Sequence, residues 1–262
     1  MQITSPLAKF FRLALILSSI TVPLAAEPAQ EKAPETAAEK APEKSPETAL
    51  QAIKLPSIEI NAVERFVDVT GTICLDEGAL EVIACTKGTK EHEAIVLVEA
   101  SPVHIHAALL LVGAKNGNPA MRRAVDKEMT RWVDIPAKGD PIYVSLVWKK
   151  EDGITVERPI SDFLERSEYS DVPAEEKEKE KFPEAFLFAG SHLGDPAEKP
   201  RKYLAELSGH VISISTFGDE LLCLPQFHGQ ENHALAWQIN STHLPKLNSK
   251  VTLRLRTVKP KP

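Results

Sequence analysis

The residues best suited to chemistry gather in one stretch, Cys85 to Pro119, which reads CTKGTKEHEAIVLVEASPVHIHAALLLVGAKNGNP. It opens with a basic, glycine-led loop, Lys87-Gly88-Thr89-Lys90, followed at once by His92 and Glu93. An apolar run comes next, then a proline-started apolar segment carrying His104 and His106. Ionisable groups wedged between apolar runs are costly to bury unless they are paired. Two readings of Lys90, His92, Glu93 and His106 are therefore open. In one they form a binding or catalytic site. Lys90 offers a cation to an anionic group, His92 acts as base or ligand, Glu93 orients it, and His106 donates to an anion near a helix start. In the other they form a buried hydrogen-bonded network that fixes the loop.

Other constellations fail on spacing. His92-Glu93 lacks the second histidine of a zinc-protease motif, because Val96 stands four residues on. His104 and His106 share a face on a strand but lie about 200° apart on a helix. Ser101-Pro102 and Gly113 mark a helix, so a joint metal site is disfavoured. Gly190-Ser191-His192 lacks the nucleophile-elbow pattern and reads as a structural serine in a turn. His228, His233 and His243 share no face and default to turn or solvated histidines. Cys74, Cys85 and Cys223 contain no C-x-x-C pair, which removes zinc-ribbon, iron–sulfur and thioredoxin-type chemistry. No metal or other cofactor is called for.

Elements must position these residues. The segment from His92 to Val98 is apolar on both faces, as in a central strand. Neighbours on a strand alternate, so His92 and Glu93 should face opposite sides, with Lys90 on the side of His92 toward the start of the Pro102 helix. That helix has Ser101 as N-cap and Pro102 at its first turn, stops at Gly113, and is apolar all round, so it should be buried. A short second helix is expected after Ser161, over Asp162 to Ser167. Arg65–Leu75 and Ala79–Cys85 read as a hairpin about Asp76-Glu77-Gly78. In that register Cys74 and Cys85 are too far apart for a disulfide. Ile142–Trp148 and Ile154–Glu157 form a second hairpin. Strand-like runs follow at 186–189, 203–207, 211–216, 221–224, 235–239 and 251–258.

The first 26 residues have the form of a secretory signal: Lys9 and Arg12, the apolar run Leu13–Ile20, then Pro23-Leu24-Ala25-Ala26. The run is too short to span a bilayer. Residues 27–52 are a linker in which Ala, Glu, Pro and Lys fill 20 of 26 positions, with EKAP at 31–34 and again at 39–42. Its prolines break any helix, and it lacks aromatic residues, so it reads as a disordered tether. The run Glu175–Lys181 reads as a solvated insertion. The formal charge is −6, and removing Lys9 and Arg12 takes it to −8. This acidity argues against nucleic acid and against adhesion of the whole chain to anionic lipid. Residues 53–262 are then a single strand-rich α+β domain with an antiparallel or mixed sheet and one buried helix.

Several of these pieces together resemble the YdjY-domain family. They are Lys90-x-His92-Glu93, then His106-Ala107-Ala108-Leu109-Leu110-Leu111-x-Gly113-Ala114-x-x-Gly117. The likeness runs from about residue 55 to 259. It also includes Leu80-Glu81 before Cys85, Phe188-Ala189-Gly190-Ser191, Tyr203-Leu204-Ala205, Trp237 to Asn240, Leu244-Pro245 and Val251-Thr252-Leu253. Ala94 departs from it, where relatives carry serine, and this counts against a serine-dependent mechanism. The resemblance implies a secreted or periplasmic domain and supplies no reaction. The expectation is a tethered extracytoplasmic module, binding or structural and non-catalytic, in the cell envelope and with no transmembrane segment in the mature chain. The alternative is a hydrolase built on Lys90, His92 and Glu93.

Overall fold

The computed structural model of the chain describes residues 55–168, 181–230 and 235–260, all within one compact unit. The signal-like segment, the linker, His233 and all but the last residue of the charged run Glu175–Lys181 lie outside the described residues.

Sixteen strands are found among the described residues. The first eight are β1 (Ile58–Asn61), β2 (Phe66–Ile73), β3 (Val82–Thr86), β4 (Ala94–Val98), β5 (Asn116–Asn118), β6 (Met121–Ala124), β7 (Trp132–Ile135) and β8 (Lys138–Gly139). The remainder are β9 (Pro141–Lys149), β10 (Thr155–Pro159), β11 (Leu164–Arg166), β12 (Phe186–Phe188), β13 (His210–Ser213), β14 (Leu222–Cys223), β15 (Trp237–Ile239) and β16 (Lys250–Arg256). Two α-helices, α1 (Pro102–Leu111) and α2 (Leu204–Ser208), accompany them.

Strand alternation explains the longest ladders. In β2, β16 and β9 every second residue is apolar, and the register brings these positions into line. Val69 faces Leu253, which faces Leu146; Val67 faces Leu255, which faces Val144. All six are buried in the main core. The intervening positions carry an outer ionic row in which Arg254 grips Asp68 with both ends of its guanidinium and reaches Glu157 at 2.9 Å.

The pairing then closes on itself. The order β2-β16-β9-β12-β14-β13-β3-β4 returns to β2, because β4 pairs with β2 as well as with β3. The result is a closed eight-stranded barrel with few helices, and the expected α+β sheet domain is corrected to a mostly β fold. Closure at this strand number leaves an interior just wide enough for side chains. The expected hairpin of residues 65–75 with 79–85 does not form. β4 inserts between β2 and β3, antiparallel to one and parallel to the other. Residues 78–80 instead bond to β15, through Leu80 N to Trp237 O and Ile239 N to Gly78 O. The β9–β10 hairpin is present as expected.

Helix α1 has the expected bounds, ending at Gly113, whose φ is +86°. It is not buried all round. Pro102, Ile105, Ala108 and Leu109 turn inward, while Val103, Leu110 and Leu111 are exposed. The buried set follows helical spacing, a stripe that uniform apolarity had hidden. The helix expected over 162–167 is a 3-10 turn (Ile160–Phe163) leading into β11, and the strand expected over 203–207 is helix α2. Among the described residues no helix is long and apolar enough to cross a membrane.

Candidate functional site

Because β3 and β4 run parallel, the chain between them must return along the barrel, and residues 87–93 do this. Gly88 takes a φ of +79°, and its N–H donates to the Glu91 carboxylate. Thr89 Oγ1 donates to Thr86 O at 2.6 Å, and Glu93 N donates to Lys90 O at 3.0 Å. The last bond closes a 3-10 turn over Glu91–Glu93, so His92 and Glu93 precede the strand rather than sitting on it.

The expected alternation is therefore overturned. Glu93, not His92, joins Lys90, with Nζ to Oε2 at 2.9 Å. The same ammonium bonds Glu81, a residue only 5% exposed that spacing had not singled out. The His92 side chain is 70% exposed, with Nε2 3.7 Å from Glu93 Oε2. The turn does this by advancing the chain about 120° per residue, which swings His92 out as Lys90 and Glu93 come together.

Two carboxyls and one ammonium make an uneven electrostatic unit. Burial, the Glu93 carboxylate and its hydrogen bond push Glu81 above the ordinary glutamate range against the pull of Lys90. Burial also opposes the charge of Glu93, but hydrogen bonds with Glu81 and Lys90 outweigh it and hold Glu93 low. For Lys90 burial disfavours the cation, and the hydrogen bonds to Glu81 and Glu93 outweigh it, so its pKa rises. Environments that drive two carboxyls apart leave Glu81 as the one that keeps a proton longer. Lys90 is thus a committed cation between two acids.

A second polar unit adjoins the first across Phe217. The Lys90 ammonium lies 5.4 Å from the centre of that ring, and the His210 imidazole stacks on it at 3.8 Å. His210 Nδ1–H donates to Asp219 Oδ1 at 2.6 Å. Burial raises Asp219, but the bond from His210 outweighs it and its carboxyl is held low. Beside them Glu220 is fully buried. One of its oxygens accepts from Phe217 N and from Gly218 N at 3.0 Å, the other has no partner, and burial pushes its pKa up. His210, Asp219 and Glu220 were missed by motif spacing. The only signal was an acid pair, Asp219-Glu220, set against the apolar run Leu221–Leu224.

His106 lies at the far end of this polar chain. Its Nδ1 meets Tyr203 Oη at 2.9 Å, and the Tyr203 hydroxyl donates to Gly190 O at 2.9 Å. That hydroxyl has one proton, so Nδ1–H is the donor in the first bond. Burial lowers the His106 pKa. Ser191 continues the chain, donating to Asp219 O at 2.6 Å and accepting from Ala205 N, the structural role expected of it. His104 and His106 sit on a helix, and among the described residues no group of three or more His, Cys, Asp or Glu could hold a metal ion. Of the four nominated residues, Lys90 and Glu93 pair directly, His92 lies 3.7 Å from Glu93, and His106 bonds Tyr203 instead of any of the other three.

All three cysteines are free. Burial pushes the Cys223 thiol up to about 12. Cys74 and Cys85 are unbonded as expected, but not for the expected reason. The hairpin whose register kept them apart is absent, and the two side chains pack in one cluster with Val82, Ala94 and Phe217.

No curated protein and no solved structure matches the chain. The family model of the YdjY domain matches residues 58–256, from the first strand to the end of the last. With most of its length matched, including the Lys90 turn and the strands that close the barrel, this chain belongs to the YdjY-domain family.

Proposed function

We propose that the folded part is a non-catalytic binding or structural module, exported to the extracytoplasmic space and carried on the 27–52 tether. The observation that carries the first half is the Lys90 latch. The cation is held by Glu81 and Glu93, and His92 points into solvent without an orienting partner closer than 3.7 Å. General acid–base chemistry needs a positioned group within hydrogen-bond reach of the reacting atoms, and this arrangement directs its charges at one another. Export is supported by the signal-like features of Lys9, Arg12 and Leu13–Ile20, and by the small residues at 23–26.

The hydrolase reading keeps one observation in its favour, the approach of His92 to Glu93. Wild type and His92→Ala should be compared in a thermal-shift screen of metabolites and divalent metals, alongside ester and phosphoester substrates. The module reading predicts that any ligand-induced shift survives His92→Ala and that no turnover depends on it. Turnover of an ester or phosphoester that vanishes in His92→Ala would establish the hydrolase instead.

A further inference from the structure

β6 and β7 form a two-stranded ribbon outside the barrel, paired only with each other. Such a ribbon is marginal in water unless it packs an apolar face against something. This one has the apolar residues and leaves them open. Val125, Met129, Trp132 and Val133 are all exposed, Trp132 at 50% and Met129 at 64%. They lie on both faces. Arg123 and Val133 pair on one side, with Val125 two residues on along the same side, while Ala124 and Trp132 pair on the other. Met129 stands in the tip, at a φ of +52°. Exposed apolar groups clustered in this way mark a surface that meets a partner or a membrane.

The polar groups of the ribbon leave its cations free. The Asp126 carboxylate accepts from Thr130 N at 2.8 Å, Thr130 Oγ1 at 2.7 Å and Arg131 N at 3.3 Å. Asp134 is held by Arg122 at 2.9 Å. Trp132 Nε1–H donates to Met129 O at 3.1 Å, so the indole keeps no polar group that needs water. Arg123, Lys127 and Arg131 form no ion pair among the described residues, and Glu128 is the one acid of the ribbon left over. Four cations (Arg122, Arg123, Lys127, Arg131) against three acids (Asp126, Glu128, Asp134) set the ribbon at +1, on a chain whose formal charge is −6.

We propose that the β6–β7 ribbon docks on an anionic lipid bilayer. Trp132, Met129, Val125 and Val133 enter the headgroup level, and Arg123, Lys127 and Arg131 lie over the lipid phosphates with their stems along the apolar surface. A tip that is apolar on both faces suits a fluid medium that surrounds it, whereas a protein groove takes one face. The satisfied indole N–H lets the ring leave water without losing a hydrogen bond. Glu128 opposes the contact, and the acidity of the rest of the chain confines it to the ribbon. The ribbon is a separate sheet from the barrel that carries the Lys90 latch, so this inference stands or falls apart from the reading of that cluster.

The test uses the full chain with Leu15→Glu and Leu17→Glu, which break the signal-like apolar run so that it does not carry the protein to lipid. Vesicles of brominated phosphatidylcholine and phosphatidylglycerol in equal parts are compared with vesicles of brominated phosphatidylcholine alone. The bilayer contact predicts co-sedimentation with the anionic vesicles, quenching of Trp132 (the difference between this chain and its Trp132→Phe variant), and loss of both at high salt. Arg123→Gln with Arg131→Gln should need roughly thirtyfold more lipid for half-saturation, at about 1 kcal/mol for each basic residue. Met129→Ser with Trp132→Ser should weaken co-sedimentation while leaving Tm unchanged, since both side chains are exposed. A chain that neither sediments nor shows Trp132 quenching would overturn the proposal. So would equal binding to both vesicle types, or polyglutamate bound as tightly as vesicles. A concentration-dependent dimer that is lost in Trp132→Ser, without lipid binding, would assign the ribbon to a second copy of the chain instead.

Discussion

Lys90 and His92 are two residues apart and differ completely in environment, and the difference comes from one backbone hydrogen bond. Glu93 N to Lys90 O makes a 3-10 turn where alternation of residue types reads as strand. The types of Lys90 and Glu93 were legible as a paired cation and acid. Their partnership with each other was not, because strand geometry assigns them opposite faces. Glu81 was invisible as a partner, since its contact depends on a crossover that brings back a residue nine positions further along the chain. At this scale His106 supplies a pH test. Its folded-state pKa lies below the ordinary imidazole value of about 6.5, so the unfolded chain binds the additional proton first as pH falls. The stability gained by keeping His106 neutral is complete above that value and is lost as pH falls toward the folded-state pKa. Urea midpoints at pH 7.5 and 5.5 should therefore differ more in the wild type than in His106→Gln, which keeps a donor for Tyr203. Equal differences would remove His106 from the acid response.

At the level of elements, the join between α2 and β13 decides whether the latch loop can lie where it does. Gly209 ends α2 with a φ of +77°, and a Cβ there would stand 2.3 Å from Thr89 Oγ1 and 2.7 Å from Thr86 Oγ1. Both strain and contact point the same way. Gly209→Ala should cost about 2 kcal/mol, read as a lower urea midpoint with an unchanged slope. A neutral effect would mean that the loop is not packed on this turn. Strong local signals were legible here. Ser101-Pro102 and Gly113 bound α1 correctly, and Glu151-Asp152-Gly153 marks the β9–β10 hairpin. Tyr203–Leu207 misled, because a mostly apolar run of five residues fits one turn of helix as well as a strand. The pairs β5–β8 and β6–β7 went unread because their residues are mostly exposed and carry no buried stripe.

For the whole molecule, strand content was legible and closure was not. Alternation in β2, β9 and β16 says that one face is buried, but a sheet face buried by closure looks the same as one buried by a helix. What closes the ring is β4 taking the place beside β2 that the Asp76-Glu77-Gly78 turn had assigned to β3. The β3–β4 parallel pair forces the crossover, and the crossover carries Lys90 back to Glu81 at the head of β3. The central claim is that this ion cluster latches the barrel and is not a reactive centre. Equilibrium unfolding of Lys90→Met beside His92→Ala tests it most directly. Removing the ammonium leaves two carboxyls facing each other, partly open to solvent, at a cost of about 2 kcal/mol. For a domain of this size that is a Tm lower by roughly 4–8 °C, whereas exposed His92 should change stability by less than about 0.5 kcal/mol. The account predicts that split, with Lys90→Met strongly destabilised and His92→Ala unchanged. A Lys90→Met protein as stable as the wild type would contradict it.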